Sequence, residues 1–230
     1  MAAERVAAII QARMGSTRFP GKSLAPFAGA TVLNHMLSRL SRVTNPLDLV
    51  VATTDRDEDD VIAKTAEDAG VLVFRGSAAD VLGRFVACIA SLPGRPPLVL
   101  RICADRPLIC PVLVDELLDA YAELGSPDYL SNNLPPSYPD GLDLEVVRAE
   151  CLLQADRESH ASDEREHVTP FVYRRPERFR CVGLVCPFGN YSHVRLALDT
   201  PEDYERLNAL HARLPSDYDY RDVLTAVELM

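Results

Sequence analysis

Lysine is almost missing from this chain: of 24 basic residues only Lys22 and Lys64 are lysines, and the rest are arginines. A lysine kept at position 22 against that bias marks a place that calls for a compact point charge. An excess of positive charge is missing too. The formal net charge of −10 and pI near 5.0 argue against nonspecific binding to nucleic acid or to an anionic membrane, while leaving room for a local basic pocket for a phosphorylated small molecule. No apolar run approaches the roughly 20 residues that span a bilayer, and Met1 to Arg5 shows no signal-peptide pattern. Cys88, Cys103, Cys110, Cys151, Cys181 and Cys186 form no C-x-x-C pair, and several sit in apolar contexts that suit buried free thiols. A cytoplasmic, reducing setting without membrane or nucleic-acid partners is the expectation. Neither the P-loop spacing G-x-x-x-x-G-K-[ST] nor the dinucleotide pattern G-x-G-x-x-G occurs around the first glycines.

Against these absences stands the stretch from Val6 to Lys22. Val6 to Ile10 holds no polar residue, as expected of a strand covered on both faces in a parallel sheet. The loop that follows carries Arg13, Arg18 and Lys22, with Gly15 and Gly21 letting the backbone turn and approach a ligand, and Pro20 stiffening the exit. Three cations on one loop suit the oxygens of a triphosphate. A solvated arginine-rich turn is the competing reading.

Strand and helix then alternate. Leu47 to Thr54, Val71 to Phe74 and Pro97 to Cys103 read as strands; Thr31 caps a helix running to about Val43, Glu58 to Ala69 forms a helix stopped by Gly70, and Asp80 to Ser91 forms a third. Such order predicts a doubly wound, mostly parallel, Rossmann-like α/β sheet whose ligands bind at the carboxyl ends of the strands. Gln11 to Lys22, Thr53 to Asp55, Arg75 to Ser77 and Ala104 to Pro107 then share one rim. The second half predicts a helix over Pro111 to Leu124, a strand over Tyr129 to Asn132, a turn-rich stretch from Asn133 to Gly141 and a half-buried strand over Leu142 to Val147. Further on come one helix over Glu164 to Tyr173, strands over Phe179 to Val185 and Val194 to Leu198, a helix opening at Pro201 and one more in the tail after Pro215. At 230 residues, with 47% apolar and 25% charged content, the chain fits one domain over 1–230 with an insertion near 128–175.

Two carboxylates fall where a strand releases its chain to that rim, Asp105 and Asp199. Hard oxygens in that position suit a Mg²⁺ ion that bridges substrate phosphates; an ordinary helix-cap role suits Asp199 equally well. Asp140, Asp143 and Glu145 alternate as a loop enters a strand, so Asp143 and Glu145 share a face. They could accept sugar hydroxyls, hold a second metal, or form a solvated edge. Glu166 and His167 are candidate substrate contacts.

The segment Ile9 to Lys22, with Val73 to Ser77, Asp80 to Phe85, Ser131-Asn132, Tyr138 to Glu145, Glu164 to Pro170 and Leu198 to Asp203 in order, resembles the cytidylyltransferase (CMP-sugar synthetase) family, and within it the spore coat polysaccharide biosynthesis branch. The resemblance implies a nucleotidyltransferase fold and transfer of CMP from CTP to an acidic sugar or related acceptor, with release of pyrophosphate. It implies that Gln11, Ala12, Arg13, Gly15, Ser16, Arg18 and Lys22 hold the nucleotide and that Arg75 faces its base. Arg13, Lys22, Asp105 and Asp199 would then be catalytic, with Asp105 and Asp199 binding Mg²⁺ or Mn²⁺. Asp140, Asp143, Glu145, Glu166 and His167 would line the acceptor side, and the chain would pair as a homodimer. One departure stands out: Ala104-Asp105-Arg106-Pro107 replaces the family's Gly-Asp-Cys-Pro or similar run. Another nucleoside triphosphate, a nucleotide-sugar-dependent glycosyltransferase and a non-catalytic nucleotide-binding protein are the competing readings. Asp57-Glu58-Asp59 and Asp217-Tyr218-Asp219 are the formal D-x-D patterns that a glycosyltransferase would need.

Overall fold

Strand β1 (Val6–Gln11) lies in the middle of the sheet, as its composition requires: Val6 to Ile10 are all buried. Val6, Ala8 and Ile10 feed the core on one face, Ala7 and Ile9 the core on the other. The structure, a computed structural model, describes residues 4–229. After β1 and its loop, a single 3₁₀ turn at Lys22–Leu24 leads to a small hairpin of β2 (Pro26–Phe27) and β3 (Ala30–Thr31). Helix α1 (Val32–Leu40) follows, its first turn capped by the Thr31 hydroxyl, which accepts from the Asn34 amide at 3.2 Å. Next come β4 (Leu47–Thr54), α2 (Asp60–Asp68), β5 (Leu72–Gly76), α3 (Val81–Ser91), β6 (Leu98–Cys103) and α4 (Pro111–Glu123). The remainder comprises β7 (Tyr129–Ser131), β8 (Glu145–Arg148), α5 (Ala149–Glu158), α6 (Ser162–His167), α7 (Pro170–Tyr173), β9 (Cys181–Gly183), α8 (Pro201–His211) and α9 (Tyr220–Glu228).

The seven-stranded sheet runs β5-β4-β1-β6-β8-β7-β9. Pairings β5-β4, β4-β1 and β1-β6 are parallel, β8 is antiparallel to both neighbours, and β9 is parallel to β7. The mostly parallel α/β sheet expected from the sequence is therefore present. From β1 the chain crosses first to β4 and later returns to β6 on the other side, so a crevice opens between the carboxyl ends of β1 and β6. Helices α1, α2, α4, α8 and α9 cover one face, and α3, α5 and α7 the other.

Two expectations are corrected, and one helix was not expected. The stretch Val194 to Leu198 makes no ladder; it is extended, with one isolated bridge between Asp140 and Arg195. Its backbone is used otherwise: the Leu196 amide donates to the Asp140 carbonyl at 2.5 Å, and the Leu198 amide to the Asp105 carbonyl at 2.8 Å. The single helix over Glu164 to Tyr173 is two, because Pro170 brings no N–H to continue the ladder and Val168 breaks it with a positive φ of 73°. Helix α5, which no sequence signal had suggested, packs against α3 and α7.

Gly141 lets the 194–199 segment come close. Its φ is +113°, and a Cβ there would lie 2.5 Å from the Leu196 carbonyl carbon and 2.7 Å from the Ala197 amide. Gly141→Ala is therefore expected to lose roughly 1–3 kcal/mol of stability or more. A thermal melt matching that of the parent would contradict this account.

Candidate active site

Lys22 follows the loop after β1, and Asp105 follows β6, the strand paired beside it. The adjacency of these strand ends brings the two side chains together, with Lys22 Nζ 2.8 Å from the Asp105 carboxylate. Asp199 arrives from far along the sequence, carried by the extended 194–199 segment that hydrogen-bonds across Asp105 and Asp140. Lys22 Nζ donates to Asp199 Oδ1 at 2.9 Å and to the Leu198 carbonyl at 2.8 Å. Asp199 does not cap α8. Thr200 does, in a reciprocal pair with Asp203, whose Oδ2 also takes the Asp199 amide at 3.0 Å. The Asp199 carboxylate is thereby left to the cations: Arg18 lies 2.9 Å from Oδ2, and Arg195 pairs with the same oxygen. Burial pushes its pKa up, but Lys22, Arg18 and Arg195 together hold it below the ordinary aspartate value.

These groups open onto a cavity of about 660 Å³. Of the residues singled out from the sequence, Gln11, Ala12, Arg13, Ser16, Arg18, Lys22, Asp105, Asp140, Asp143, Glu145, Glu166, His167 and Asp199 line it. Gly15 belongs to the loop but faces outward beside Glu58. Arg75 is outside the cavity lining. Its Nε donates to the Thr54 carbonyl at 2.9 Å, one Nη to the Arg56 carbonyl at 2.8 Å, and the other pairs with Asp60, so the expectation that it faces the base is not met by this arrangement. It ties the ends of β4 and β5 together instead.

The carboxylates expected on the acceptor side differ among themselves. Glu145 on β8 is enclosed: Tyr129 donates to Oε1 at 2.7 Å, Thr169 to the same oxygen at 2.6 Å, and Arg101 pairs with Oε2. Burial raises its pKa, and these three partners outweigh that and bring it below the usual value. Asp143 is similarly held by Arg106, which also donates to its carbonyl at 3.0 Å, and by the Gly141 amide at 2.8 Å. Both are held by these partners at the cavity wall, as buried carboxylates require. Asp140, raised by burial and by Asp143, pairs with Arg195, with Arg106 a further charge that lowers it. Glu166 and His167 are exposed on the last turn of α6. Neither formal D-x-D is available as a metal motif. Asp59 is buried beneath the loop, accepting from the Met14 amide at 2.6 Å and from Thr54, and Asp219 caps α9.

The cavity also contains residues that sequence reasoning missed: Arg84 on α3, Arg101 on β6, Tyr129 on β7, Thr169 before α7 and Arg195. Arg84 and Arg101 had a visible signal, a single cation inside an otherwise apolar helix face or strand. Arg195 had the same signal, as the single cation in the apolar stretch from Val194 to Leu198.

The family model for cytidylyltransferases matches residues 7–226. The chain is 35% identical over 212 residues to the spore coat polysaccharide biosynthesis protein SpsF of Bacillus subtilis (strain 168), covering 89% of this chain and 85% of that one. Among solved structures, a cytidylyltransferase from Leptospira borgpetersenii serovar Hardjo-bovis shows a TM-score of 0.91 at 33% identity, covering 97% of this chain and 93% of its own. A CMP:2-keto-3-deoxy-manno-octonic acid synthetase complexed with CTP shares the fold, with a TM-score of 0.66 at 17% identity over 91% of this chain and 98% of its own.

The enclosed acids give a pH signature. Asp143 and Glu145 have pKa values below their ordinary 3.8 and 4.5 in the folded chain. Each therefore contributes stability that is fully present above the ordinary value and is lost as pH falls through the depressed one. Thermal stability is expected to drop steeply below about pH 4, and Glu145→Gln, itself destabilised at neutral pH, should show a shallower drop. An unchanged slope in that variant would refute the assignment.

Proposed function

The chain belongs to the cytidylyltransferase family and is a CTP-dependent nucleotidyltransferase; on that premise we propose that it transfers CMP from CTP to an acidic sugar or a related acceptor, releasing pyrophosphate, in surface polysaccharide or related biosynthesis. The observation that carries this reading is the Lys22 ammonium held between Asp105 and Asp199 at the crevice between β1 and β6. An acceptor oxygen attacks the α-phosphorus in line, the bond to the bridging oxygen of the β-phosphate breaks, and pyrophosphate leaves with the electron pair. The acceptor hydroxyl gives its proton to a cavity carboxylate. Arg13, Arg18 and Lys22 hold the triphosphate and stabilise the charge that grows on the leaving group. No covalent enzyme intermediate is required. Cys103, the cysteine in the cavity, has a thiol pushed up by burial, which keeps it from acting as a thiolate.

Asp105 and Asp199 fit a divalent cation: both already share one positive charge, and Mg²⁺ is commonly bound by one or two carboxylates with the remaining positions taken by phosphate and water. Among the described residues no cage of three or more His, Cys, Asp or Glu exists that would bind a metal without substrate. Mg²⁺ or Mn²⁺ would supply charge neutralisation to the triphosphate. The whole chain would act as one domain, with region 128–175 forming the acceptor side.

The proposal includes a homodimer. Val185 and Phe188, in the chain that follows the edge strand β9, are 62% and 53% exposed, and Pro135 and Pro136 of the turn-rich stretch are exposed as well; exposed apolar groups of this kind suit a second copy. Light scattering at micromolar concentration should report twice 25.3 kDa; a species of 25.3 kDa would count against it.

Asp105→Asn is expected to lower turnover by about 100-fold or more while leaving the melting temperature near that of the parent. Lys22→Ala should reduce turnover at saturating CTP as well as apparent affinity. With CTP made chiral by thiosubstitution at the α-phosphorus, inversion supports a single displacement, whereas retention would mean two.

A further inference from the structure

The cavity holds an arginine whose charge has no protein counterpart. Arg84 falls on the core face of α3 with Val81, Phe85 and Cys88, and is 3% exposed. One Nη donates to the Ser77 carbonyl at 2.5 Å, and its buried Nε has no partner. Among the described residues no carboxylate lies within 4.0 Å of it; Asp55, Asp59 and Asp80 are near enough only to moderate its charge. The other cavity cations are otherwise placed. Lys22, Arg18 and Arg195 pair with Asp199, Arg101 with Glu145, and Arg106 with Asp143. Arg13 alone shares Arg84's condition, and it lies close enough to lower the Arg84 pKa further. Two neighbouring guanidinium groups without carboxylates, one of them buried, are costly unless a multiply charged anion completes them. Further orphaned polar atoms line the same cavity, Gln11 Oε1 and Arg101 Nε, as a site waiting for ligand polar groups would show.

We propose that Arg84 is a further binding residue for the nucleotide's polyphosphate, forming with Arg13 the anion-receiving end of the cavity. The assignment rests on the cytidylyltransferase reading for the identity of the nucleotide, but its test does not depend on turnover. A planar fork suits two phosphate oxygens at once and a lysine does not.

Calorimetric titration of the parent, Arg84→Met and Arg84→Lys with inorganic tripolyphosphate and with CTP decides the matter. Arg84→Met should weaken both ligands by about tenfold or more, Arg84→Lys should recover part of the loss, and neither should lower the melting temperature. Unchanged tripolyphosphate affinity in Arg84→Met overturns the proposal, as does a parent that binds no tripolyphosphate. So does a variant that changes only the KM for the acceptor, which would place Arg84 on the acceptor's acid. A parent that transfers no CMP, yet loses tripolyphosphate binding on substitution of Arg84, would refute the proposed reaction and leave this site standing.

Discussion

The ion cluster of Lys22, Asp105 and Asp199 is the constraint on which the rest of the structure depends. It needs β1 and β6 as neighbours, so that the chain leaving each strand opens on the same crevice. It also needs a third segment that crosses that crevice without being part of the sheet. The stretch 194–199 meets this need by giving its amides to the carbonyls of Asp140 and Asp105, with Gly141 permitting the contact. Thr200 and Asp203 then close the α8 cap between themselves and leave Asp199 facing the cations. Residues separated by 177 positions thus meet within 2.9 Å.

That cluster sits in a cavity of dense, mostly internal charge pairing, inside a chain of net charge −10. The pairs form two groups by exposure. Arg101–Glu145 and Arg106–Asp143 form a floor with side chains only 11–15% exposed, where Glu145 also accepts from two hydroxyls and both members of the Arg106–Asp143 pair are also hydrogen-bonded to backbone. Removing one member there would strand a buried charge. Arg18 and Arg195 belong to the rim, 65% and 43% exposed, and pairs at such exposure are weak. A polyphosphate can draw these two from Asp199 at little cost, whereas it cannot move the floor.

The parallel half of the fold was legible because its strands are apolar runs bounded by caps and glycine; Asp105 and Asp199 drew notice because each follows an apolar stretch directly, and Lys22 because it is one of two lysines in an arginine-rich chain. What failed did so for identifiable reasons. Val194 to Leu198 has the alternation of a strand, yet its backbone partners are loops, which periodicity does not encode. Arg75 stands beside the cavity in sequence order, but its guanidinium is taken by Thr54, Arg56 and Asp60, and carbonyl acceptors leave no mark in a sequence. Arg84 was readable in principle, as a cation on the stripe of Val81, Phe85 and Cys88. A helix rule that scores only apolar positions passes over it.

The departure at Arg106 shows why a site residue has to be judged by its partners. In the sequence it adds a charge beside the Asp105 carboxylate, which suggests competition for that acid. In the structure its Nε stands 4.0 Å from Asp105, while its other end engages both the carboxylate and the carbonyl of Asp143. The charge is spent on holding the turn at Gly141 to Asp143, the same turn that accepts the 194–199 segment. Arg106 is therefore engaged first by Asp143, with Asp105 a more distant charge neighbour. Asp143 raises the pKa of the neighbouring Asp140 and Arg106 lowers it, so the Arg106–Asp143 pair bears on the charge of that acid. A cation next to Asp105 in sequence can in this way be taken up by another acid while the Lys22 cluster stays intact.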